Sequence, residues 1–351
     1  MRKIFFILII LSVAISGVVI LKFKKIAKSV EIEQPFINEN LCVGDDYNNF
    51  DCYEPHYQKL VEQGGSKLAF QDLKARYDKN DYVKSQCHPI THVIGQEASK
   101  YYKTVSEAFT SGDSFCWSGY YHGVMEGFIA RVGRKNLPTQ MDSICKDVPG
   151  KKSYSFDYYN CVHGLGHGVM EISQDELFDS LKMCDYLTGQ WERQSCWSGV
   201  YMENVIVDGK NHFSKFLRPA EPLYPCNAVE DQYKNTCYMM QSSYMLKVTK
   251  YDFAKVFALC RQVGYAYTAT CFQSIGRDAS GSTVSNTEKT KALCLLGKDF
   301  TEQSNCLIGA VKDFISYYHS DTQARGLCHM MPETFSASCQ STVVSYYSSF
   351  E

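Results

Sequence analysis

Sixteen cysteines in 351 residues, most of them in evenly spaced pairs, limit this chain to few folds. Cys161, Cys196, Cys237, Cys271, Cys306 and Cys339 follow one another in steps of 35, 41, 34, 35 and 33 residues. A period in the thirties is the mark of a stacked αα-hairpin repeat. Each of these cysteines has a partner upstream: Cys145, Cys184, Cys226, Cys260, Cys294 and Cys328, at separations of 16, 12, 11, 11, 12 and 11 residues. The upstream member often ends an apolar run, as in Phe257-Ala258-Leu259-Cys260. The spacing predicts a disulfide from the end of one helix to the start of the next, across a loop of about ten residues. Asn160, Ser195, Thr236, Thr270, Asn305 and Ser338 stand just before the repeat cysteines. All are good helix caps, so the cysteine is expected to be the first helical residue.

The expected fold is therefore all-α: disulfide-closed αα-hairpin repeats forming a right-handed solenoid, preceded by one N-terminal transmembrane helix. Cys42 and Cys52 look like a degenerate first hairpin, and Cys87 and Cys116 remain; spacing alone does not fix their connectivity. There is no C-x-x-C and no C-x-x-C-H, which removes zinc-ribbon, thioredoxin and c-type haem readings. With every cysteine placed in a pair, a nucleophilic Cys–His enzyme has no free thiolate. Paired cysteines at repeat spacing point to an oxidising compartment; the alternative is a reduced, cysteine-rich metal store. In general plan the disulfide-closed helical pairs resemble cysteine-rich relatives of the tetratricopeptide repeat. The cysteine spacing and helix signature differ, and no residue role is carried over.

Ile4 to Leu21 is an 18-residue run without charge, flanked by Arg2-Lys3 and by Lys22, Lys24 and Lys25. That length just spans a bilayer and exceeds the apolar core of a cleaved signal, so residues 1–27 are expected to be a signal-anchor. The chain is then a single-pass protein of the cell membrane with its bulk extracytoplasmic. Secretion after signal cleavage is the alternative. The lysines after the span argue for the opposite orientation; the cysteine pattern outweighs them. Residues 28–55 read as a spacer with a degenerate first repeat. Residues 56–351 read as the repeat domain, His-rich over 85–206 and His-poor over 226–351. Gly64-Gly65 reads as a turn, and Gly276 to Ser285 as a glycine- and serine-rich loop. The formal charge of −2 becomes −7 without the first 25 residues, which hold five basic residues and no acid. Nucleic acid is excluded as a partner, because phosphate binding needs a basic surface.

The repeats are not equivalent. Of nine histidines, five fall in the early copies: His88 and His92 in Cys87-His88-Pro89-Ile90-Thr91-His92, His122 in Cys116 to Glu126, and His163 and His167 in Cys161 to Glu171. His122 and His167 both lie six residues after their repeat cysteine. His88/His92 and His163/His167 are i,i+4 pairs, the spacing at which two imidazoles on one helix reach a common ion. Residues at the same register of adjacent helices lie side by side. His122, His163, His167, His92 and His88 are thus the candidate metal ligands, for Zn, Fe or Cu. Glu126 and Glu171 lie ten residues after their cysteines and are the candidate general bases. They are also the candidates for a weaker reading, glycoside hydrolysis by two carboxylates. Met202 stands at the sixth position of the next repeat, as core or as a soft ligand. Gly119, Gly123, Gly164, Gly168 and Gly199 recur on the same helices and point to close helix approach. The bland reading is that imidazoles copied by duplication bond neighbouring carbonyls. Its loss in the later repeats, where Met202, Ser243, Arg277 and Lys312 stand at the sixth position, favours a local site. His212 is expected in a polar loop, and His56, His319 and His329 have no useful partner spacing. The aromatic excess reads as repeat packing, or as a groove for sugar or peptide. The competing function is a non-catalytic scaffold whose concave face binds another envelope protein or a peptide.

Overall fold

A computed structural model describes Cys42 and residues 48–116, 118–205, 214–283 and 286–348. The expected membrane span at Ile4–Leu21 and His212 lie outside the described residues. Among the described residues there are sixteen helices and no strand, and no helix is long and apolar enough to cross a membrane. Cys42–Glu351 form one compact unit.

Nine long helices follow one another through the unit: α1 (Phe50–Tyr77), α3 (Cys87–Ser99), α5 (Gly119–Val132), α7 (Phe156–Ile172), α9 (Gln190–Val205), α10 (Asp231–Val248), α12 (Tyr265–Ser282), α14 (Phe300–Tyr318) and α16 (Glu333–Tyr347). Each packs mainly on the next. Short helices lie between them: α2 (Asp81–Ser85), α4 (Val105–Thr110), α6 (Leu137–Ile144), α8 (Leu177–Cys184), α11 (Phe253–Cys260), α13 (Thr287–Cys294) and α15 (Thr322–His329). These sit against the long helices beside them. The row turns back on its middle, since the His319 ring, just after α14, lies 3.8 Å from that of Phe156 at the start of α7.

The six expected disulfides are present: Cys145–Cys161, Cys184–Cys196, Cys226–Cys237, Cys260–Cys271, Cys294–Cys306 and Cys328–Cys339. Their Cα atoms stand 5.3 to 5.9 Å apart, ordinary disulfide geometry. Cys42–Cys52 and Cys87–Cys116 complete the set, and no cysteine is free.

The helix starts differ from the sequence expectation. Asn160, Ser195, Thr236, Thr270, Asn305 and Ser338 are not caps; they lie inside long helices. From α7 to α16 each repeat cysteine stands five or six residues after the helix begins. Most of the connecting turns are half the expected length or less, as in 185–189 and 295–299, while 145–155 keeps the full length, so the helix has already started when it meets its partner. The working caps lie further upstream: the Ser155 side chain accepts from Tyr158 N, and Asp299 accepts from Glu302 N.

Two glycine expectations part in opposite directions. Gly64 and Gly65 do break a helix, with Gly65 at φ +71° producing a kink inside α1. Gly276 to Ser282 is not a loop but the last part of α12. A Cβ at Gly276 would overlap the Cys306 carbonyl oxygen of α14, so this glycine serves close packing. The same lock recurs. Gly95 of α3 faces Tyr120 O of α5, and Gly123 of α5 faces His92 O. Gly166 of α7 faces Cys196 O of α9, and Gly199 of α9 faces His163 O. Gly119, Gly164 and Gly168 also abut a neighbouring helix, as expected from their recurrence.

Candidate metal centre

Three glycine-thinned helices, α3, α5 and α7, bring the five histidines into one cluster. The ring of His122 on α5 stacks on that of His167 at 4.2 Å between centroids and 13° between planes. It lies 5.4 Å from His88, 5.3 Å from His92 and 5.1 Å from His163. His92 and His167 are 5.7 Å apart. Three overlapping groups have ligand atoms within 4.8 Å of one another: His88/His92/His122, His122/His163/His167 and His92/Glu126/His167.

Four of the rings are held through Nδ1. His88 Nδ1 donates to the Cys116 carbonyl at 2.8 Å, and His92 Nδ1 to Glu126 Oε1 at 2.9 Å. His167 Nδ1 donates to Glu203 Oε2 at 2.6 Å. His163 Nδ1 exchanges hydrogen bonds with Ser198 Oγ at 2.7 Å and with the Tyr159 hydroxyl at 3.3 Å. The Nε2 atoms of the four rings face each other: His88 Nε2 and His92 Nε2 at 3.1 Å, His163 Nε2 and His167 Nε2 at 3.2 Å. At that distance each pair can share one proton or flank a metal ion. Ligand bonds of about 2.0–2.1 Å put neighbouring ligands about 2.8–3.4 Å apart in octahedral or tetrahedral arrangements, and both separations fall in that window. His122 Nδ1 is buried with no hydrogen-bond partner.

Burial favours the neutral form of His88, His122 and His163. Burial, then the neighbouring His92, lowers His88 to about 3. Burial, then the other histidines, holds His122 well below the ordinary value, and burial with His167 does the same for His163. Burial alone would raise Glu126, but His92 outweighs it and holds the carboxyl low. The second Glu126 oxygen accepts from Gln96 Nε2 at 2.6 Å. Carboxylates and carbonyls behind imidazoles are the usual outer shell of a metal site.

The cluster is a wall between two cavities. His88, His92 and His167 face a cavity of about 380 Å³ whose lining, among the described residues, carries six carboxylates (Asp51, Glu54, Glu126, Glu171, Asp175 and Glu203) and no lysine or arginine. His122 and His163 face a second cavity of about 530 Å³. Glu171 stands in the first, its carboxyl raised to about 7 by burial and by Glu126, Glu203 and Asp175. Folding favours its protonated form, so its ionisation costs stability as pH climbs from the ordinary glutamate range through about 7. In the metal-free protein, Glu171→Gln is expected to stabilise at pH 8 and to change little at pH 4.5. The gain should stay under about 1 kcal/mol, because the carboxyl is exposed enough to be screened. Thermal melts at the two pH values check this; equal shifts at both would contradict it.

Several expected pairings differ. Glu126 does not pair with His122 on its own helix but crosses to His92, and His167 is matched by Glu203, not Glu171. Glu203 and Gln96 were not anticipated as site residues. Glu203 stands seven residues after Cys196, not ten, so counting from the cysteine misses it. Met202 lines the second cavity, as His122 and His163 do. His56 pairs with Asp72 at 3.0 Å, away from the cluster, and His319 packs on Phe156. No protein family, curated protein or solved structure matches the chain.

Proposed function

We propose that the five histidines bind a transition-metal ion, Zn, Fe or Cu. The observation that carries this is the convergence of the facing Nε2 pairs, 3.1 and 3.2 Å apart, in groups whose ligand atoms lie within 4.8 Å of one another, with every Nδ1 of those four rings already engaged. Imidazoles backed by carboxylates suit borderline divalent ions. The acidic cavity is the entry route, since its charge attracts cations to the His88/His92/His167 side. His122 with His88 and His92, or His122 with His163 and His167, would hold the ion. Glu126 and Glu203 hold His92 and His167 in the ligating tautomer. A bound ion would polarise a ligand or lower the pKa of a water. Glu171 is placed to take a proton at the cavity side.

The surrounding fold is read as a right-handed solenoid of disulfide-closed hairpins. It is held outside the cytoplasm by the apolar N-terminal run. Eight disulfides support an oxidising compartment.

The purified, oxidised protein is expected to carry or take up about one equivalent of a transition metal per chain. The His122→Ala/His167→Ala variant should lose at least about 100-fold in affinity while keeping its disulfides and helical signal. Plasma mass spectrometry with a metal titration reads both. A folded protein that takes up no ion would leave the scaffold reading in its place.

A further inference from the structure

The second cavity, about 530 Å³, is of the size that holds small organic ligands. His122 and His163 form part of its wall. Asn160 stands in the same wall. Lys312 also lines the cavity. Its Nζ bonds the neutral Gln273 Oε1 at 3.1 Å and stands 5.9 Å from the centre of the Tyr346 ring. Burial lowers this ammonium, as expected for a charge held by neutral neighbours. The other cation, Arg277, is matched by Asp278 at 2.8 Å. Asp313 in the same lining is raised to about 6 by burial, so the cavity is poor ground for a second negative charge. Tyr159, Trp191 and Tyr346 give it aromatic walls.

We propose that this cavity is the ligand chamber of the histidine centre and takes a planar organic monocarboxylate. Its acid group is held by Lys312, and its far end points toward the His122 wall. One unmatched cation selects a single charge, and the aromatic walls select a flat body. The link to the centre rests on the metal reading of the histidines; the contacts of the chamber do not. Ions then enter from the acidic side and the organic ligand from the other.

The test is calorimetric titration of 4-hydroxybenzoate, beside its neutral counterpart 4-hydroxybenzamide, into the full-length protein, metal-free and after metal loading. Metal content is measured separately on the same samples. The carboxylate should saturate and bind at least about 10-fold tighter than the amide in both forms. Lys312→Met should erase that preference, and Lys312→Arg should restore most of it, with melting curves taken for each variant. No saturation by about 10 mM in either form, equal binding of acid and amide, or a preference that survives Lys312→Met would overturn the proposal. A protein that refuses metal yet prefers the carboxylate keeps the chamber and loses the metal centre. A metal-loaded protein without the preference does the reverse.

Discussion

Alanine at Gly199 is expected to cost about 3 kcal/mol or more, enough to unfold the histidine-bearing helices in a protein of ordinary stability. Its Cβ would overlap the His163 carbonyl oxygen and stand 3.1 Å from the Gly166 Cα. Both obstacles are main chain, so no rotamer change relieves them. Helices α7 and α9 must separate, which also pulls His163 from Ser198. Gly326 in α15 is the control: nothing lies within 4 Å of a Cβ there. Gly326→Ala should stabilise by about 0.5–1 kcal/mol, through helix propensity and a less free unfolded chain. Urea melts of the two variants should therefore move in opposite directions. A Gly199→Ala protein that melts like the parent would mean that α7 and α9 do not cross this closely.

Full reduction is expected to abolish the cooperative fold. The eight disulfides close loops of 10 to 29 residues. Each such closure is worth about 3 kcal/mol in the chain-entropy view. Several together exceed the roughly 5–15 kcal/mol that separates folded from unfolded domains. Removing one, as in Cys184→Ser/Cys196→Ser, should cost about 2–4 kcal/mol and leave a folded but weaker protein. Far-UV dichroism against reductant, with thiols counted at each point, reads the effect. A fully reduced chain that still melts cooperatively would show that the helices hold without their staples.

Much of this was legible in the sequence, for physical reasons. A disulfide leaves a fixed separation, so six pairs could be read from spacing. The i,i+4 histidines share a helix face whatever their surroundings, and His88/His92 and His163/His167 do meet. Helix starts were less legible. A cap is set by the turn before it, and Ser155 or Asp299 competes with equally polar neighbours such as Asn160 and Asn305. The carboxylates were misassigned because counting from a cysteine assumes equal helix offsets. The glycine contacts show otherwise: Gly95 abuts Tyr120 O, whereas its counterpart Gly166 abuts Cys196 O, the repeat cysteine itself. That slip moves the acid that reaches His167 to Glu203. The second cavity draws on helices from α5 to α16, a juxtaposition that no local pattern encodes.

The spacing of α3 from α5 is set by main-chain contact at Gly123 against His92, and that of α7 from α9 at Gly199 against His163. Main-chain atoms are the same whatever the sequence. Apolar side chains away from these crossings, and other than Met125 and Ile129, which face Gly164 and Gly168 between α5 and α7, can therefore change volume by a methylene here or there without altering the gauge on which the imidazoles are mounted. The frame and its cargo are separable. Exchanging His for Asp or Cys at positions 88, 92, 122, 163 or 167 would present a different donor set at an inherited distance. The same lock at Gly276 and Gly309, where Gln273 takes the place of a histidine, offers a second mount of the same gauge with no ligands yet installed.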